Sequence, residues 1–213
     1  MTADALSTTD DRPVSRGEAR RRAFLEAASE VFLEQGYEAA SVNEVVRRAG
    51  GSLATLYAQF GNKDGLFLAV IEHGASRFVA PMVQAADADR PIEAGLQELG
   101  ETFLRQLLEP KAIAFFRMVV GEGRKFPSAI SKFLTLGPDS LRKTVAGYLI
   151  ARAAEDGCVF EEPDRAATYF CELVRGRHQY RSLANAGYCL TDAQIVTEVA
   201  AAVRFFLRAA RAP

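Results

Sequence analysis

The sequence contains few of the residues on which most enzymes and metal sites depend. Its 213 residues include only two histidines, His73 and His178, and three cysteines. The histidines do not lie in H-E-x-x-H spacing, and neither a G-x-S-x-G motif nor a P-loop motif is present. No group of residues has metal-ligand spacing. These absences argue against catalysis, and we expect no cofactor and no metal.

Long hydrophobic runs and targeting signals are also missing. Charged residues interrupt each apolar run before it reaches the roughly 20 residues of a membrane helix, so we expect no membrane partner. The first residues lack the basic start and apolar centre of a secretory signal. The odd number and wide spacing of Cys158, Cys171 and Cys189 favour buried, reduced thiols over disulfides. A cytoplasmic location is therefore expected.

The charge of the chain is nearly balanced, with a formal net charge of −1. This total does not indicate a nucleic-acid partner, so such a role must depend on how the charges are distributed. Residues 1–14 are short, polar and acidic, and we expect a disordered tail there. Arginines follow at 16 and 20–22, either as an arm for nucleic acid or as an ordinary solvated helix start.

Residues 15–62 carry the signals of three helices. Phe24, Ala28, Val31 and Phe32 form one apolar stripe, and that helix is expected to end at Gly36. A second helix is predicted to begin with a capping box formed by Ser41 and Glu44, and to end at Gly50-Gly51. Ser52 is predicted to cap a short third helix with an inward side formed by Leu53, Leu56 and Phe60. Two short helices separated by a tight glycine turn indicate a helix-turn-helix.

These motifs resemble those of the TetR family of transcriptional regulators. The stretch 22–37 is similar to the family's first helix, and an Ala-Gly turn at 49–50 is followed by T-L-Y-x-x-F at 55–60 and Lys63. Two positions depart from the family pattern. Gly51 replaces a branched aliphatic residue, which we expect to loosen the turn, and Gln59 replaces a histidine or tyrosine. The resemblance covers about the first third of the chain and implies a dimeric DNA-binding regulator, most commonly a repressor.

The candidate DNA-binding residues lie on the second and third predicted helices and just after them. The outward side of the third helix is small and polar, which suits the major groove. By resemblance, Tyr57 and Lys63 contact phosphates, although Tyr57 could instead pack and Lys63 could simply be solvated. Arg47 and Arg48 are expected to serve the helix dipole rather than DNA. The full candidate set is Ser41, Asn43, Ser52, Ala54, Thr55, Tyr57, Ala58, Gln59 and Lys63.

The rest of the chain is also predicted to be helical, so the expected fold is all-α. A connecting helix at 63–80, capped by Asn62, leads to a larger helical domain at 81–213 for ligand binding and dimerisation. Proline and glycine positions predict helices at about 91–108, 111–123, 127–136, 138–155, 163–186 and 192–210. The run 117–127 and the helix ending near 175–177 resemble the AefR-like and AcrR-like branch of the family.

Two apolar groups in this second domain suggest sites. Phe170, Leu173 and Val174, with Ala201, Val203 and Phe206, could form a four-helix dimer interface or the domain's own core. A small hydrophobic or amphipathic effector could occupy a cavity, although the aromatics could equally be core and His178 purely structural. The candidate ligand residues are Phe115, Phe116, Met118, Val119, Glu122, Phe170, Arg175 and His178, with Arg117 as a further polar anchor.

Two function classes remain after the enzyme is set aside. The first is a dimeric DNA-binding regulator that recognises a near-palindromic operator in double-stranded DNA and is released by a small-molecule effector. The alternative is a helical protein-interaction module that has kept the fold and lost operator binding. The salt dependence of binding to non-specific DNA would separate them, because only a protein with phosphate contacts shows such a dependence.

Overall fold

The computed structural model describes residues 15–153 and 155–210, so the predicted disordered tail at 1–14 lies outside the described residues. The regular elements of the described residues are helical. They are α1 Arg16–Ala39, α2 Val42–Ala49, α3 Leu53–Phe60, α4 Lys63–Ala85, α5 Ile92–Leu108, α6 Pro110–Glu122, α7 Pro127–Leu134, a π-helical turn Thr135–Asp139, α8 Ser140–Arg152, α9 Pro163–Arg175, α10 His178–Ala184 and α11 Asp192–Ala210. This confirms the all-α prediction.

The chain divides into two compact units, Met1–Phe67 and Leu68–Pro213. In the first unit, the predicted stripe of α1 is fully or almost fully buried. Gly36 interrupts α1 with non-helical angles, close to the expected end of this helix. The rings of Phe32 and Tyr37 pack on the ring of Phe67, with centroids 5.3 and 5.0 Å apart, and this fixes the start of α4 against α1.

The capping box was predicted at the wrong serine. The Ser41 side chain makes no capping hydrogen bond, whereas Ser15 and Glu18 form a complete capping box at the start of α1. The reason is a competing interaction, since the carboxylate of Glu44 accepts hydrogen bonds from Arg47 and Arg48 instead. Two guanidinium groups offer this carboxylate several charged donors, whereas the backbone amide offers one neutral donor.

α4 differs from its prediction in two ways. It continues through Pro81 to Ala85 instead of ending near residue 80. By length and composition it could also cross a membrane, which corrects the expectation that no such segment exists. This is weak support for a membrane segment, because core helices pass the same test. Its apolar residues Leu66, Val70 and Ile71 are buried in the fold.

The second unit is built around one continuous apolar core that draws residues from α4, α5, α8, α9 and α11. Helices α9 and α11 run antiparallel, because Phe170 packs on Phe206 while Arg177 pairs with Glu198. Three predicted helices were wrong in detail. Gly176 divides the segment 163–186 into α9 and α10, and the π-helical turn around Pro138 joins α7 to α8 without an interruption.

The cysteines are free thiols, as predicted, but only two of them are buried. Cys158 and Cys171 lie in the core, and Cys189 is exposed. Burial raises the pKa of the Cys171 thiol to about 12, so this cysteine behaves as an apolar core residue at neutral pH.

Candidate nucleic-acid interface

Helix α3 is short and is fixed at both ends. Ser52 caps its start as predicted, since the Ser52 hydroxyl accepts a hydrogen bond from the backbone N–H of Thr55 at 3.1 Å. At the other end, the backbone N–H of Gly61 donates to the carbonyl oxygen of Tyr57 at 2.8 Å. Leu56 and Phe60 are buried and hold the inner side of the helix. These contacts give an eight-residue helix a defined orientation within its own unit.

The outer side of α3 is mostly small and polar, as the sequence predicted. Its exposed residues are Ser52, Leu53, Ala54, Thr55, Tyr57 and Ala58. Leu53 was predicted to face inward and is 37% exposed instead, because it occupies the first helical position, ahead of the buried residues. With Ala54 and Ala58 on the surface, the backbone of α3 can approach a groove closely, and exposed methyl groups can contact thymine methyls.

Gln59 is placed differently from the other candidates. It was expected on the outward side, but it is half-buried and its side-chain oxygen Oε1 is fully covered. Among the described residues this oxygen has no hydrogen-bond partner. An amide with a covered oxygen can offer only its NH₂ group to a base or phosphate.

Helix α2 is tied to α1 by a network of charges. Arg48 donates to Glu34 of α1 at 2.6 Å and to Glu44 at 2.8 Å, and Arg47 also pairs with Glu44. Hydrogen bonds from Arg47 and Arg48 lower the pKa of the Glu44 carboxyl to about 2. The two arginines thus bind carboxylates as well as lying in the last turn of α2. The candidates Ser41 and Asn43, at the start of α2, are exposed.

Lys63 lies at the first position of α4 but its ammonium group is engaged within the unit. Nζ donates to the carbonyl oxygen of Glu38 at 3.0 Å and lies 4.8 Å from the centre of the Tyr37 ring. Asn62 caps α4 as predicted, with Oδ1 accepting from the backbone N–H of Gly65 at 2.9 Å. The ammonium group of Lys63 is therefore bonded to residues at the end of α1.

Two residues determine the turn before α3, and the role of one of them, Arg20, was not recognised from the sequence. Arg20 of α1 hydrogen-bonds to backbone carbonyls of this turn. Gly51 has a φ of +144°, a backbone conformation that residues with a side chain rarely adopt. The prediction that Gly51 only loosens the turn is thus incomplete, since the backbone conformation itself favours glycine. The basic run around Arg20 was visible, but its partners are about 30 residues away along the chain.

The predicted ligand residues of the second unit do not form one group. The rings of Phe115 and Phe116 pack against Phe133 of α7, with centroids 6.2 and 5.9 Å apart, and are half-buried. In contrast, Phe170 is fully buried in the core against Phe206 of α11. On α6, Val119 is buried, whereas Met118 and Glu122 are half-buried.

The polar candidates are similarly dispersed. Arg175 donates to Glu172 at 2.6 Å, and Arg117 donates to the carbonyl oxygen of Leu183 at 2.6 Å. His178 is buried between Tyr188 and Glu198, with Nδ1 2.7 Å from the tyrosine hydroxyl and Nε2 3.3 Å from the carboxylate. Arg117 and His178 thus connect different helices, whereas the Arg175–Glu172 pair lies within α9.

The predicted dimer residues divide between core and surface. Phe170, Val174, Val203 and Phe206 are buried in the unit's own core, whereas Leu173 and Ala201 are exposed. The larger exposed apolar side chains on the same two helices are Tyr169, 60% exposed, and Phe205, 66% exposed. The exposed apolar residues differ from the predicted interface residues because periodicity alone did not show which face of each helix is exposed.

Taken together, the first unit is a helix-turn-helix DNA-binding domain in its arrangement of α1–α3. The comparisons specify the family. Residues 24–70 match the family described as "Bacterial regulatory proteins, tetR family", and residues 94–211 match "AefR-like transcriptional repressor, C-terminal domain". The chain belongs to the TetR family of DNA-binding transcriptional regulators, with an AefR-like C-terminal domain. Members of this family are regulators and not enzymes.

Individual relatives support the same assignment. The chain is 44% identical over 79 residues to the transcriptional repressor ComR of Escherichia coli (36% of this chain, 38% of ComR). It is 44% identical over 66 residues to the transcriptional activator FasR of Mycolicibacterium smegmatis (31% of this chain, 30% of FasR). The match thus spans about a third of each relative. The solved structure of the Flavonoid-responsive Regulator FrrA is 28% identical, with a TM-score of 0.74 over 90% of this chain and 97% of FrrA.

Proposed function

We propose that this regulator is a repressor that binds a near-palindromic operator as a homodimer and is released by a small apolar or amphipathic effector. The observation that carries the DNA-binding part is the exposed, small-residue side of α3, which is held on its inner side by Leu56 and Phe60. Phosphate contacts supply affinity, and side chains at base edges supply specificity. Because this activity requires DNA, we place the protein in the cytoplasm.

Within this proposal, residues 15–62 form the DNA-binding domain, 63–80 the connecting segment and 81–213 the effector and dimerisation domain. Thr55, Ala54 and Ala58 are the candidates for base contacts. Tyr57 is proposed to contact a phosphate, and its 43% exposure supports this role. The remaining candidates for backbone or base contacts are Ser41, Asn43, Ser52, Gln59 and Lys63. Three of them have polar groups that are covered or engaged within the unit: Ser52, Gln59 and Lys63.

The test of DNA binding uses the DNA upstream of the protein's own gene as its probe. We would compare the wild type with Ala58→Glu, which places a carboxylate on the exposed side of α3 without removing any contact. Ile150→Glu is the matched control, because Ile150 is 65% exposed on α8 and the change in net charge is the same. Ala58→Glu should abolish binding and Ile150→Glu should not. Equal binding by all three proteins would show that α3 is not the DNA reader.

Repression is supported by the description of the matching C-terminal family and by the repressor ComR, although FasR is an activator. A bound dimer can prevent access of the polymerase to a promoter. If the regulator is a repressor, expression of a reporter gene under the upstream promoter should rise when the regulator is deleted. A fall in expression would instead show activation and overturn this part of the proposal.

The dimer is proposed to form through the outer sides of α9 and α11. A single helix-turn-helix buries too little surface for tight specific binding, so two copies on one site are needed. The apolar residues Tyr169, Leu173 and Phe205 are exposed on these two helices, and exposed apolar groups are typical of protein interfaces. Sedimentation equilibrium should show a dimer for the wild type and for Ile150→Glu, and a weakened dimer for Phe205→Glu. An unchanged association constant in Phe205→Glu would exclude this face.

The effector is proposed to bind beside the half-buried rings of Phe115, Phe116 and Phe133. Partly exposed aromatic rings suit a planar apolar ligand, and FrrA is named for its response to flavonoids. Phe115 also packs tightly on α4: a Cβ added at Gly74 would lie 2.5 Å from its ring. Since the first residues of α4 belong to the first unit, we propose that a shift of Phe115 acts on the DNA-binding domain through this helix.

This effector site can be tested with a flavonoid as the first probe. We expect the flavonoid to bind more tightly to the DNA-free state than to the DNA-bound state. It should therefore lower the operator affinity of the wild type, because a ligand shifts an equilibrium by its differential affinity for the two states. Phe116→Ala should reduce that response. Phe160→Ala should leave it unchanged, because the Phe160 ring stacks on Phe206 of α11 and not on Phe133. Operator affinity that is indifferent to every ligand the protein binds would refute the effector proposal.

A further inference from the structure

The turn between α2 and α3 begins with two residues that have no side chain. Gly50 has a φ of +67° and Gly51 a φ of +144°, so both lie in a region that residues with a side chain rarely adopt. A turn made of two glycines is also the most flexible kind when nothing holds it. The conformation of this glycine pair therefore depends on contacts from elsewhere in the unit, while Ser52 caps the start of α3 that follows.

Arg20 of α1 supplies such a contact. Its Nη1 donates to the carbonyl oxygen of Ala49 at 3.3 Å and also to the carbonyl oxygen of Gly50. These oxygens lie at the end of α2, where the last carbonyls have no partner within the helix and the helix dipole is negative. A guanidinium is well suited to this position, because it is always charged and carries several donors in a fixed plane.

The ring of Phe24, one helical turn after Arg20, closes the other side. A Cβ added at Gly51 would lie 3.0 Å from Cζ of Phe24 and 3.6 Å from Nη1 of Arg20. Phe24 is fully buried and packs edge to face on Phe60, the last residue of α3, with centroids 6.3 Å apart. The guanidinium of Arg21 lies 4.6 Å from the centre of the Phe60 ring. One short stretch of α1 thus contacts the turn before α3 and the last residue of α3.

We propose that Arg20 is a positioning residue for operator recognition: its guanidinium holds the Gly50-Gly51 turn and so sets the orientation of α3. The proposal rests on α3 being the DNA reader. Arg20 acts here through the turn and not through a phosphate. An exposed arginine beside a helix-turn-helix would ordinarily be interpreted as a phosphate contact, so the test must separate these two roles.

The two roles predict different DNA-binding behaviour. Loss of a phosphate contact weakens binding to all sequences about equally and reduces the salt slope by about 1. Loss of a positioning contact weakens binding to the specific site while leaving the number of phosphate contacts unchanged. The informative quantities are therefore the ratio of specific to non-specific affinity and the dependence of affinity on salt.

The experiment compares the wild type with Arg20→Met and Arg16→Met. Arg16 is an exposed arginine in the first turn of the same helix, so Arg16→Met removes the same charge and serves as the control. The probes are the upstream duplex bound by the wild type and a scrambled duplex of equal composition. Arg20→Met should lower affinity for the upstream duplex at least about tenfold, the change expected from losing a hydrogen bond to a charged group. Affinity for the scrambled duplex should fall no more than in Arg16→Met.

An equal loss on both duplexes with a reduced salt slope would identify a phosphate contact and overturn the proposal, as would no change at all. Arg20→Lys provides a second variant if Arg20→Met does not fold. It keeps the charge but not the planar guanidinium, so a positioning role predicts a loss of specific affinity and a phosphate role predicts nearly none.

A DNA-free measurement keeps the proposal testable on its own. Amide hydrogen exchange of the full chain should be faster in residues 49–60 of Arg20→Met than in the wild type, and unchanged there in Arg16→Met. Unchanged exchange in Arg20→Met would overturn the role of Arg20 in the turn. If the wild type bound no duplex specifically, the proposed function would fail, and hydrogen exchange would still decide whether Arg20 holds the turn.

Discussion

The helices within each of the two compact units are joined by different kinds of contact. In Met1–Phe67, aromatic packing joins α1 to α3 and to α4, and polar side chains add further contacts. Arg48 joins α2 to α1, Arg20 bonds to the turn before α3, and Lys63 joins α4 to the end of α1. In Leu68–Pro213, one apolar cluster connects α4, α5, α8, α9 and α11. Polar contacts fix direction, whereas apolar burial supplies most of the stability.

The comparison has a practical consequence for mutations. A change in the apolar cluster should cost stability throughout the second unit, because close-packed interiors tolerate changes of volume poorly. A change in a polar contact of the first unit should cost little stability but alter how α3 is presented. Three substitutions test this difference, from the largest expected effect to the smallest.

The largest effect is expected for Phe170→Ala. Phe170 is 1% exposed and packs on Phe206, so its removal leaves a cavity in the shared core of α9 and α11. The free energy of unfolding should fall by about 3–5 kcal/mol, measured by urea denaturation with circular dichroism. Ile150→Ala, at a position that is 65% exposed, is the control and should cost far less. Similar losses in the two variants would mean that the core does not dominate the stability of this unit.

An intermediate effect is expected for Ser52→Ala in the first unit. The hydroxyl of Ser52 caps α3, and loss of such a cap costs about 1 kcal/mol. Ser41→Ala is a matched control, since Ser41 occupies the same position before α2 but makes no capping hydrogen bond. Urea denaturation of both variants measures the difference. If Ser41→Ala were as destabilising as Ser52→Ala, the side-chain caps would not distinguish the two helices.

The smallest effect is expected for Glu44→Gln, and it should depend on pH. Because Arg47 and Arg48 lower the pKa of the Glu44 carboxyl from 4.5 to about 2, the ionised carboxylate stabilises the folded protein. That contribution is complete above pH 4.5 and is lost as the pH falls toward 2. The difference in Tm between the wild type and Glu44→Gln should therefore shrink over this range. A difference that stayed constant from pH 6 to pH 3 would show that the carboxylate charge is not what stabilises α2.

The sequence predicted the first unit better than the second, for a physical reason. The elements of a helix-turn-helix are short and close in sequence, so Ser52, Leu56 and Phe60 could be assigned from their spacing. Interactions that join distant segments were missed, including the bonds of Arg20 to the turn and the capture of Glu44 by two arginines. Local patterns contain no information about which competing partner is stronger.

In the second unit the helix positions were predicted well but their faces were not. Proline and glycine marked most of the helix ends, because they exclude particular backbone conformations. Whether an apolar residue such as Phe170 or Phe205 lies inside or outside depends on which neighbouring helix covers it. Periodicity on an apolar helix leaves several faces open, so the predicted interface was mixed with the core and the predicted ligand residues were dispersed.

The contacts of the Gly50-Gly51 turn also limit how this protein can be recombined with its relatives. A chimera that received only residues 42–60 would carry the turn without Arg20 and Phe24, the two α1 side chains nearest to it. A relative with the usual family pattern has a branched aliphatic residue at the position of Gly51. Its first helix would therefore pack on a side chain that this turn lacks. The smallest segment that can transfer DNA recognition to a relative therefore begins before Arg20. A chimera intended to carry the operator specificity of this protein should include α1.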